Sequence, residues 1–360
     1  MCVYLMDAQT KVPAFSLQWH ITAKCDQRCK HCYMYDSPSY KSEIDNELSF
    51  DECKSIINDF MLTLKKWSRK GAIFFTGGDP LLRDDFFDIL KYANSKGIYP
   101  IGIAGNSYHL EIGTALKLKE YGVTMYQISL DGMKKTHDSH RKAGSFDDAV
   151  RGYRVLKESG ISPMCMFTLS RLNKDDLIDV IRLAAELELA GFDFDRLVRA
   201  GSAKGLRDDM IPPLEYRELL LSVNEEYRRL KSLGCKTQFG YKDNLWRLIL
   251  KDKDLSSDQA LVPQGFELKR GCLIGLSGLA VLSDGNVMAC RRLSVIIGKL
   301  PEQRISEIFK NSAKLAEFRN VEKIDKCGLC ENLDMCSGCR AVAYGYSGGN
   351  YFSKDPGCWL

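Results

Sequence analysis

The chain has 360 residues, of which 45% are hydrophobic and 27% charged, a composition that excludes a mainly disordered or collagen-like protein. Its 51 basic and 47 acidic residues are interspersed and give a net charge of +4, so no single-sign field exists to attract nucleic acid. Apolar runs stay far below the roughly 18 residues of a membrane span, and the N-terminus lacks an export signal pattern. We therefore expect a cytoplasmic protein without a nucleic-acid or membrane partner.

From residue 14 to 210, short apolar runs alternate with longer amphipathic stretches, a pattern typical of βα units and a parallel sheet. Six strands are predicted, at residues 15–22, 72–75, 99–104, 125–130, 163–169 and 193–198. Helices are predicted between them, the best marked after the capping box of Ser49 and Glu52. Six units are too few for a closed eightfold barrel. We expect an α/β partial (β/α)6 barrel with its functional groups at the carboxyl ends of the strands.

Three further segments complete the predicted organisation. Residues 1–13 precede the barrel, and Pro212 and Pro213 mark its end. Residues 211–268 are predicted to form a helical bridge, with a helix over 214–233, and a polar connector. Glycine-rich turns and clustered cysteines then predominate, with little long helix apart from 305–318. Residues 269–360 are therefore predicted to be a small cysteine-rich α+β domain that folds around metals.

Fourteen residues are cysteine, which in a reducing compartment favours metal ligands, redox thiols or buried packing over disulfides. Cys53 lies in a predicted helix and Cys165 in an apolar strand, so we expect both in the core. Ten of the others form two groups along the chain. The first group is Cys25, Cys29 and Cys32, and the second is Cys272, Cys290, Cys327, Cys330, Cys336, Cys339 and Cys358.

The first group, spaced CxxxCxxC, directly follows the first predicted strand. Three thiolates are one short of the four that a cubane iron–sulfur cluster takes, so one iron would be open to another ligand. Zinc held by three cysteines and His31 is the alternative, although adjacent His31 and Cys32 are poorly placed for one metal. With Tyr33 behind it, the group resembles the CxxxCxΦC motif of the radical S-adenosylmethionine (radical SAM) superfamily, with His31 at the aromatic position. The CxxxCxHCY form is similar to the peptide- and protein-modifying branch.

A glycine pair after the second predicted strand extends this resemblance. Gly77, Gly78, Asp79 and Pro80 stand where the superfamily has its GGE motif. The resemblance implies that the glycines let the backbone approach SAM closely and that the Asp79 carboxylate receives the methionine ammonium. Asp in place of Glu shortens the reach by one methylene. Taken alone, this sequence is an ordinary strand-to-helix turn.

Polar residues after the third and fourth predicted strands fit the same family. Asn106 stands in the place of the TNG-like turn, and Ser129 and Asp131 belong to an ISLDG sequence that in the family lies beside the adenosyl group. The resemblance implies that Arg141, which follows His137, clamps the methionine carboxylate. Taken alone, His137 is equally consistent with a solvated histidine at a helix end. Arg141 alone is consistent with a surface cation. The order of the motifs along the chain favours the roles that the family resemblance implies.

The second cysteine group resembles the SPASM extension, which carries two auxiliary iron–sulfur clusters. One spacing differs, because Cys336 and Cys339 have two residues between them where the family has three. The resemblance implies an incomplete inner cluster, whose open iron would bind a substrate thiolate unless Cys235 or a non-cysteine side chain fills the place. CxxC pairs alone would favour a zinc ribbon. The implied outer ligands are Cys327, Cys330, Cys336 and Cys358, and the implied inner ligands are Cys272, Cys290 and Cys339.

The resemblance implies an oxidoreductase with SAM and three 4Fe–4S clusters as cofactors. One electron from the first cluster would cleave SAM to a 5′-deoxyadenosyl radical, which removes a hydrogen from the substrate. The auxiliary clusters would accept the remaining electron. The predicted function is a peptide maturase that installs an oxidative thioether or carbon–carbon crosslink in a ribosomally made precursor peptide. A catalytic base cannot be identified from the sequence.

The predicted partners are the precursor peptide and an electron donor such as flavodoxin or ferredoxin. Only 24 residues precede Cys25, so leader recognition would use the barrel and bridge or a separate recognition protein. The alternatives are formylglycine formation of the anaerobic sulfatase-maturase type, another peptide oxidation or epimerisation, and a non-enzymatic iron–sulfur carrier or zinc scaffold. Arg291 follows Cys290 where sulfatase maturases place an aspartate base, which favours peptide crosslinking.

Overall fold

The computed structural model describes residues 14–206, 208–251 and 271–360. Its strands form one open ten-stranded sheet in the order β10-β9-β8-β1-β2-β3-β4-β5-β6-β7. Strands β8 and β1 to β7 run parallel, and β8, β9 and β10 pair antiparallel. The strands are β1 (Phe15–Thr22), β2 (Gly71–Gly77), β3 (Ile101–Ala104), β4 (Val123–Ser129), β5 (Ser162–Leu169), β6 (Gly191–Arg196), β7 (Gln238–Phe239), β8 (Gly278–Val281), β9 (Asn286–Cys290) and β10 (Leu293–Lys299).

Helices connect the parallel strands, as the alternating sequence pattern predicts. The helices of the barrel and bridge are α1 (Tyr40–Asp45), α2 (Phe50–Trp67), α3 (Phe86–Ser95), α4 (Ile112–Glu120), α5 (Lys134–His140), α6 (Ser145–Ser159), α7 (Leu177–Glu186), α8 (Pro213–Ser232) and α9 (Trp246–Leu250). The C-terminal helices are α10 (Ile305–Asn311), α11 (Ala313–Arg319) and α12 (Arg340–Tyr346). The α/β partial barrel with a cysteine-rich C-terminal α+β region is thus confirmed.

Local sequence signals explain where the best-marked elements begin. Ser49 accepts a hydrogen bond from the backbone N–H of Glu52, whose carboxylate accepts one from the N–H of Ser49, so the predicted capping box starts α2. The apolar face of α2 includes Cys53, which is fully buried, and Cys165 on β5 is 2% exposed. Both cysteines lie in the core, as expected.

The C-terminal region, which is predicted to fold around metals, also buries apolar side chains against the barrel. Strand β8 pairs in parallel with β1, and its Leu279 and Val281 belong to the same buried cluster as Leu17 and Trp19 of β1. Apolar burial therefore contributes directly to folding of this region. The sheet continues from the barrel into the cysteine-rich part, which places the two groups of cysteines on one scaffold.

Segment 1–13 and the connector from residue 252 lie outside the described residues. Across the described ranges, every helix is too short or too polar to cross a bilayer.

Candidate active site

The carboxyl ends of β1 to β6 surround a cavity of about 180 Å³, which we call the first cavity. Most of the residues that the sequence motifs single out lie on its lining, although they come from separate βα loops. Those that line it are Cys25, Cys29, Cys32, Gly77, Gly78, Asn106, Ser129 and Arg141. Asp79 and Asp131 are not on this lining.

The glycine pair after β2 packs against the loop that carries the cysteines. Gly77 has a φ of +134°, and a Cβ there would lie 2.0 Å from the carbonyl oxygen of Thr22. A Cβ on Gly78 would lie 2.0 Å from the carbonyl oxygen of Lys24. Only glycine therefore permits the backbone hydrogen bond from Gly78 to Thr22, at 2.9 Å, that fixes the start of the cysteine loop.

Asp79 is fully buried behind this turn. Its Oδ1 accepts a hydrogen bond from the backbone N–H of Leu81 at 3.2 Å, and its Oδ2 has no hydrogen-bond partner among the described residues. Burial raises the pKa of the Asp79 carboxyl to about 7. The carboxyl therefore caps a turn just outside the first cavity, and its role as receptor of the methionine ammonium stays a prediction.

Asp131, which the family pattern places beside the adenosyl group, holds the cysteine loop to the end of β4. Its Oδ2 accepts hydrogen bonds from Nε of Arg141 at 2.5 Å and from Nε2 of His31 at 3.1 Å. Its Oδ1 accepts one from the backbone N–H of Thr168 at 2.7 Å, and its own N–H donates to Nδ1 of His137. Although burial acts to raise it, Arg141 and His31 hold the pKa of Asp131 well below its usual range. Asp131 is thus an ionised positioning residue in this structure.

The same network decides between the alternatives for two other residues. His137 is 1% exposed, so it is not a solvated helix-end histidine, and burial lowers its pKa to about 4. Arg141 is not a simple surface cation, because its guanidinium reaches Asp131 and lies 3.8 Å from Sγ of Cys29. His31, at the motif's aromatic position, joins this network through Asp131.

A second contact holds the other side of the cysteine loop. Asp26 accepts a hydrogen bond from Nδ2 of Asn106 at 3.0 Å and lies 3.0 Å from Nε2 of His109. Oδ1 of Asn106 accepts from the backbone N–H of Tyr108. The Asn106 side chain therefore supports the loop after β1, in addition to its place on the cavity lining.

Replacement of Asp131 by asparagine is expected to destabilise the protein by about 3 kcal/mol, because it leaves the Arg141 cation without its buried partner. Urea unfolding of the ligand-free protein measures this change. Asp147→Asn is the matched control, since the Asp147 carboxylate is 62% exposed and pairs with Lys134 at the surface. It should leave the unfolding midpoint unchanged. An Asp131→Asn midpoint equal to that of the wild type would contradict the positioning role.

The C-terminal cysteines separate into two groups, each around its own cavity. The inner cavity, of about 140 Å³, is lined by Cys272, Cys290 and Cys339. The outer cavity is smaller, about 20 Å³, and Cys235 lines neither of them. Among the described residues, no three His, Cys, Asp or Glu side chains converge closely enough to hold a single metal ion. The outer cavity is lined by Cys327, Cys330, Cys336 and Cys358.

The chemistry of these thiols fits iron–sulfur ligation. Burial raises the pKa of Cys25, Cys336 and Cys339 to about 12, so the thiols stay neutral until a metal draws them into the thiolate form. Donors stand beside two of the sulfurs, with Arg141 near Cys29 and Nη2 of Arg292 3.9 Å from Sγ of Cys339. Hydrogen bonds to ligating sulfurs are one of the levers by which a protein tunes a cluster.

Sequence reasoning missed Asp195 and Arg292, two of the three residues that separate the first and inner cavities, and named Arg291 only for its place after Cys290. Asp195, Arg291 and Arg292 line both cavities. Asp195 is nearly fully buried, with Oδ2 2.7 Å from Nζ of Lys242 and Oδ1 3.4 Å from Nη2 of Arg292. Burial acts to raise the pKa of Asp195, but Arg292 and Lys242 lower it to about 2. Its place within the predicted strand 193–198, one residue before the end of β6, is the signal that could have found it.

A cysteine-lined cavity at the carboxyl ends of a partial barrel, with two further groups of cysteines after it, is the arrangement expected of a radical SAM enzyme. Comparison with protein families agrees. Residues 19–184 match the radical SAM superfamily, and residues 272–340 match SPASM, the iron–sulfur cluster-binding domain. The chain belongs to the radical SAM superfamily and carries a SPASM domain, which together imply SAM and iron–sulfur clusters as cofactors.

Several relatives match over nearly the whole chain. An AdoMet-dependent heme synthase of Nitratidesulfovibrio vulgaris is 29% identical over 95% of this chain and 91% of its own. An Fe-coproporphyrin III synthase of Methanosarcina barkeri is 30% identical over 95% and 87%. The mycofactocin maturase MftC of Mycolicibacterium smegmatis is 27% identical over 95% and 82%. The fold is similar to that of native anSMEcpe with bound AdoMet, with a TM-score of 0.71 and 18% identity over 95% of this chain and 94% of that one.

Proposed function

We propose that this radical SAM enzyme acts on an iron tetrapyrrole that carries carboxylate side chains. The names of two relatives, a heme synthase and an Fe-coproporphyrin III synthase, support this class of substrate over nearly the full chain length. This proposal replaces the peptide predicted from the cysteine motif as the first candidate, because the motif alone does not distinguish the two kinds of substrate.

The observation that carries the proposal is the set of arginines on the lining of the first cavity, of which Arg28 and Arg291 have no carboxylate partner among the described residues. Five arginines line this cavity, and Asp195 is the only acidic residue on that lining among the described residues. Lys242 and Arg292 already neutralise that carboxylate. Propionate groups are anions and favour such surroundings. The arginines are Arg28, Arg141, Arg196, Arg291 and Arg292.

The residues of the first cavity have distinct roles in this proposal. Cys25, Cys29 and Cys32 hold an iron–sulfur cluster, and Gly77 and Gly78 let the backbone approach SAM closely. SAM and the reduced cluster together supply, when bound, a 5′-deoxyadenosyl radical that removes hydrogen from carbon. The residues at the strand ends around the cavity orient the carboxylate side chain of the substrate and exclude water.

The remaining predicted ligands complete the proposed binding of cofactors. Ser129 faces SAM from the end of β4, and Arg141 stands beside both SAM and the Cys29 sulfur. Asp79, Asn106 and Asp131 support the loops that carry these groups. The proposed auxiliary clusters bind to the outer cysteines, Cys327, Cys330, Cys336 and Cys358, and to the inner cysteines, Cys272, Cys290 and Cys339.

The test is turnover of iron coproporphyrin III by the anaerobically reconstituted enzyme with SAM and dithionite. Conversion of a propionate to a vinyl group loses carbon dioxide, one hydrogen atom that appears in 5′-deoxyadenosine, and one electron that a proposed auxiliary cluster would accept. We expect 5′-deoxyadenosine and a tetrapyrrole lighter by the elements of formic acid in equal amounts. Formation of 5′-deoxyadenosine with no change in the tetrapyrrole would overturn the proposal.

A precursor peptide is the second candidate substrate, supported by the mycofactocin maturase relative. This test uses a short peptide that is encoded beside the gene. Flavodoxin or ferredoxin supplies the electron, and the other conditions are those of the tetrapyrrole test. Loss of two hydrogens per event would indicate an oxidative crosslink, and unchanged mass with 5′-deoxyadenosine formation would indicate epimerisation. A shift in peptide mass together with no reaction of the tetrapyrrole would favour this second function.

A further inference from the structure

We propose that Arg291 is the residue that binds a carboxylate of the substrate and so selects for acidic substrates. This inference rests on the proposed function and deepens it by naming the side chain that recognises the substrate. Arg291 directly follows Cys290 at the end of β9 and lines both the first and the inner cavity. A carboxylate bound there lies between the SAM cysteines and the inner cysteines.

Three of the other cavity arginines already have carboxylate partners within the protein. Arg141 pairs with Asp131 and Arg292 with Asp195, while Arg196 pairs with two buried carboxylates. These guanidinium groups are occupied, and a substrate anion would have to displace a buried internal partner to use them.

Arg28 is occupied in another way. Its Nη1 donates to the carbonyl oxygens of Cys25, at 2.6 Å, and Gln27, at 2.8 Å. Its guanidinium also lies 4.7 Å from the ring centre of Tyr35, close to the cysteine loop. The side chain therefore braces the loop that carries the first cysteines.

Arg291 is different from these four. Within the described ranges it makes no hydrogen bond or ion pair, and its contact is with the ring of Tyr33, 5.8 Å from the ring centre. It is half-buried between the two cavities. A guanidinium beside an aromatic face keeps its planar edge of N–H donors free, and that edge matches the two oxygens of a carboxylate.

The position of Arg291 also fits the substrate orientation that the proposed reaction requires. Removal of a hydrogen atom from the carbon two bonds from a carboxylate, followed by loss of carbon dioxide, leaves one electron to be removed. Arg291 holds the carboxylate end on the side of Cys290, a proposed ligand of the inner cluster, and that cluster would accept the electron. The hydrogen-bearing carbon then faces the first cavity.

The experiment measures binding of iron coproporphyrin III and of its tetramethyl ester to the reconstituted enzyme by absorbance titration. We compare the wild type with Arg291→Met and Arg291→Lys, and we use Arg217→Met as the control for loss of one positive charge. Arg217 lies on the surface of α8, beside Glu218. Iron content and SAM affinity of every variant are measured in parallel.

For Arg291→Met we expect binding of the free acid to weaken by about 10- to 100-fold, with Arg291→Lys in between. The ester should bind the wild type and Arg291→Met equally, because it carries no charge for Arg291 to recognise. SAM affinity, iron content and the control variant should match the wild type.

Three outcomes would contradict the inference, and the measurements distinguish them from one another. Normal binding of the free acid by Arg291→Met would overturn the assignment of Arg291 and leave the proposed function standing. A loss of SAM affinity in that variant would place the SAM carboxylate on Arg291 and also overturn the inference. Failure of the wild-type enzyme to bind iron coproporphyrin III would overturn the proposed function and the inference together.

Discussion

Replacement of Cys25, Cys29 and Cys32 together by alanine is expected to abolish formation of 5′-deoxyadenosine, a loss of more than about 10³-fold. All three thiols line the first cavity, and their loop is held by Asp26 on one side and His31 on the other. In the proposed function these thiols hold the cluster that supplies the electron, so their removal would remove that cluster. The measurement is anaerobic incubation with SAM and dithionite, followed by chromatography.

Cys53→Ala is the matched control for this variant. Cys53 is fully buried in the core on α2, and burial raises the pKa of its thiol to about 12. Its loss should cost about 1 kcal/mol of packing and leave 5′-deoxyadenosine formation at the wild-type rate. The triple variant should keep the iron bound at the SPASM cysteines. Continued SAM cleavage by the triple variant would show that the first cavity is not the cleavage site.

The barrel and the position of its site follow from local signals. Each predicted strand overlaps an observed one, because the alternation of apolar and amphipathic stretches is set within each βα unit. Gly77, Asn106 and Ser129 were predicted from motifs at the ends of strands, and parallel strands bring those ends to one edge of the sheet. Both the fold class and the place of the cavity were therefore predictable.

Long-range pairing was not predictable. Strand β8 pairs with β1 although more than half of the chain separates them, and Ser16 donates its backbone N–H to the carbonyl of Ser277. A short apolar strand is compatible with many partners, so its sequence does not name the one that it joins. This pairing is why the C-terminal region shares the apolar core of the barrel.

The contact partners of the polar side chains could not be predicted from the sequence either. Asp131 was placed at the correct strand end, but residue type alone does not reveal that Arg141 and His31 capture its carboxylate. The Asp195, Lys242 and Arg292 contacts join three distant segments. The set of arginines on the first cavity therefore emerged only from the folded arrangement, and together with the heme-synthase relatives it changed the first candidate substrate.

Replacement of Arg196 by methionine is expected to lower the free energy of unfolding by about 3–5 kcal/mol, because it leaves two buried carboxylates without their cation. Arg196 ends β6, and its Nε donates to Asp243 at 2.8 Å. Its Nη1 and Nη2 donate to the two oxygens of Asp355 at 2.7 and 2.8 Å. The side chains of Asp243 and Asp355 are 2% and 0% exposed. Urea unfolding of the reconstituted protein measures the change.

The same variant should also lose iron from the outer cysteines. Asp355 accepts hydrogen bonds from the backbone N–H groups of Cys339 and Gly357, so its position fixes the segment that carries Cys358, a proposed outer ligand. The triple variant R196M/D243N/D355N removes the uncompensated charges and should recover most of the lost stability, because replacing a whole buried ion network is far less costly than breaking it. Arg217→Met, at the surface, should match the wild type. If Arg196→Met were as stable as the wild type and kept all of its iron, the ion pairs of Arg196 with Asp243 and Asp355 would not hold the cysteine-rich region to the barrel.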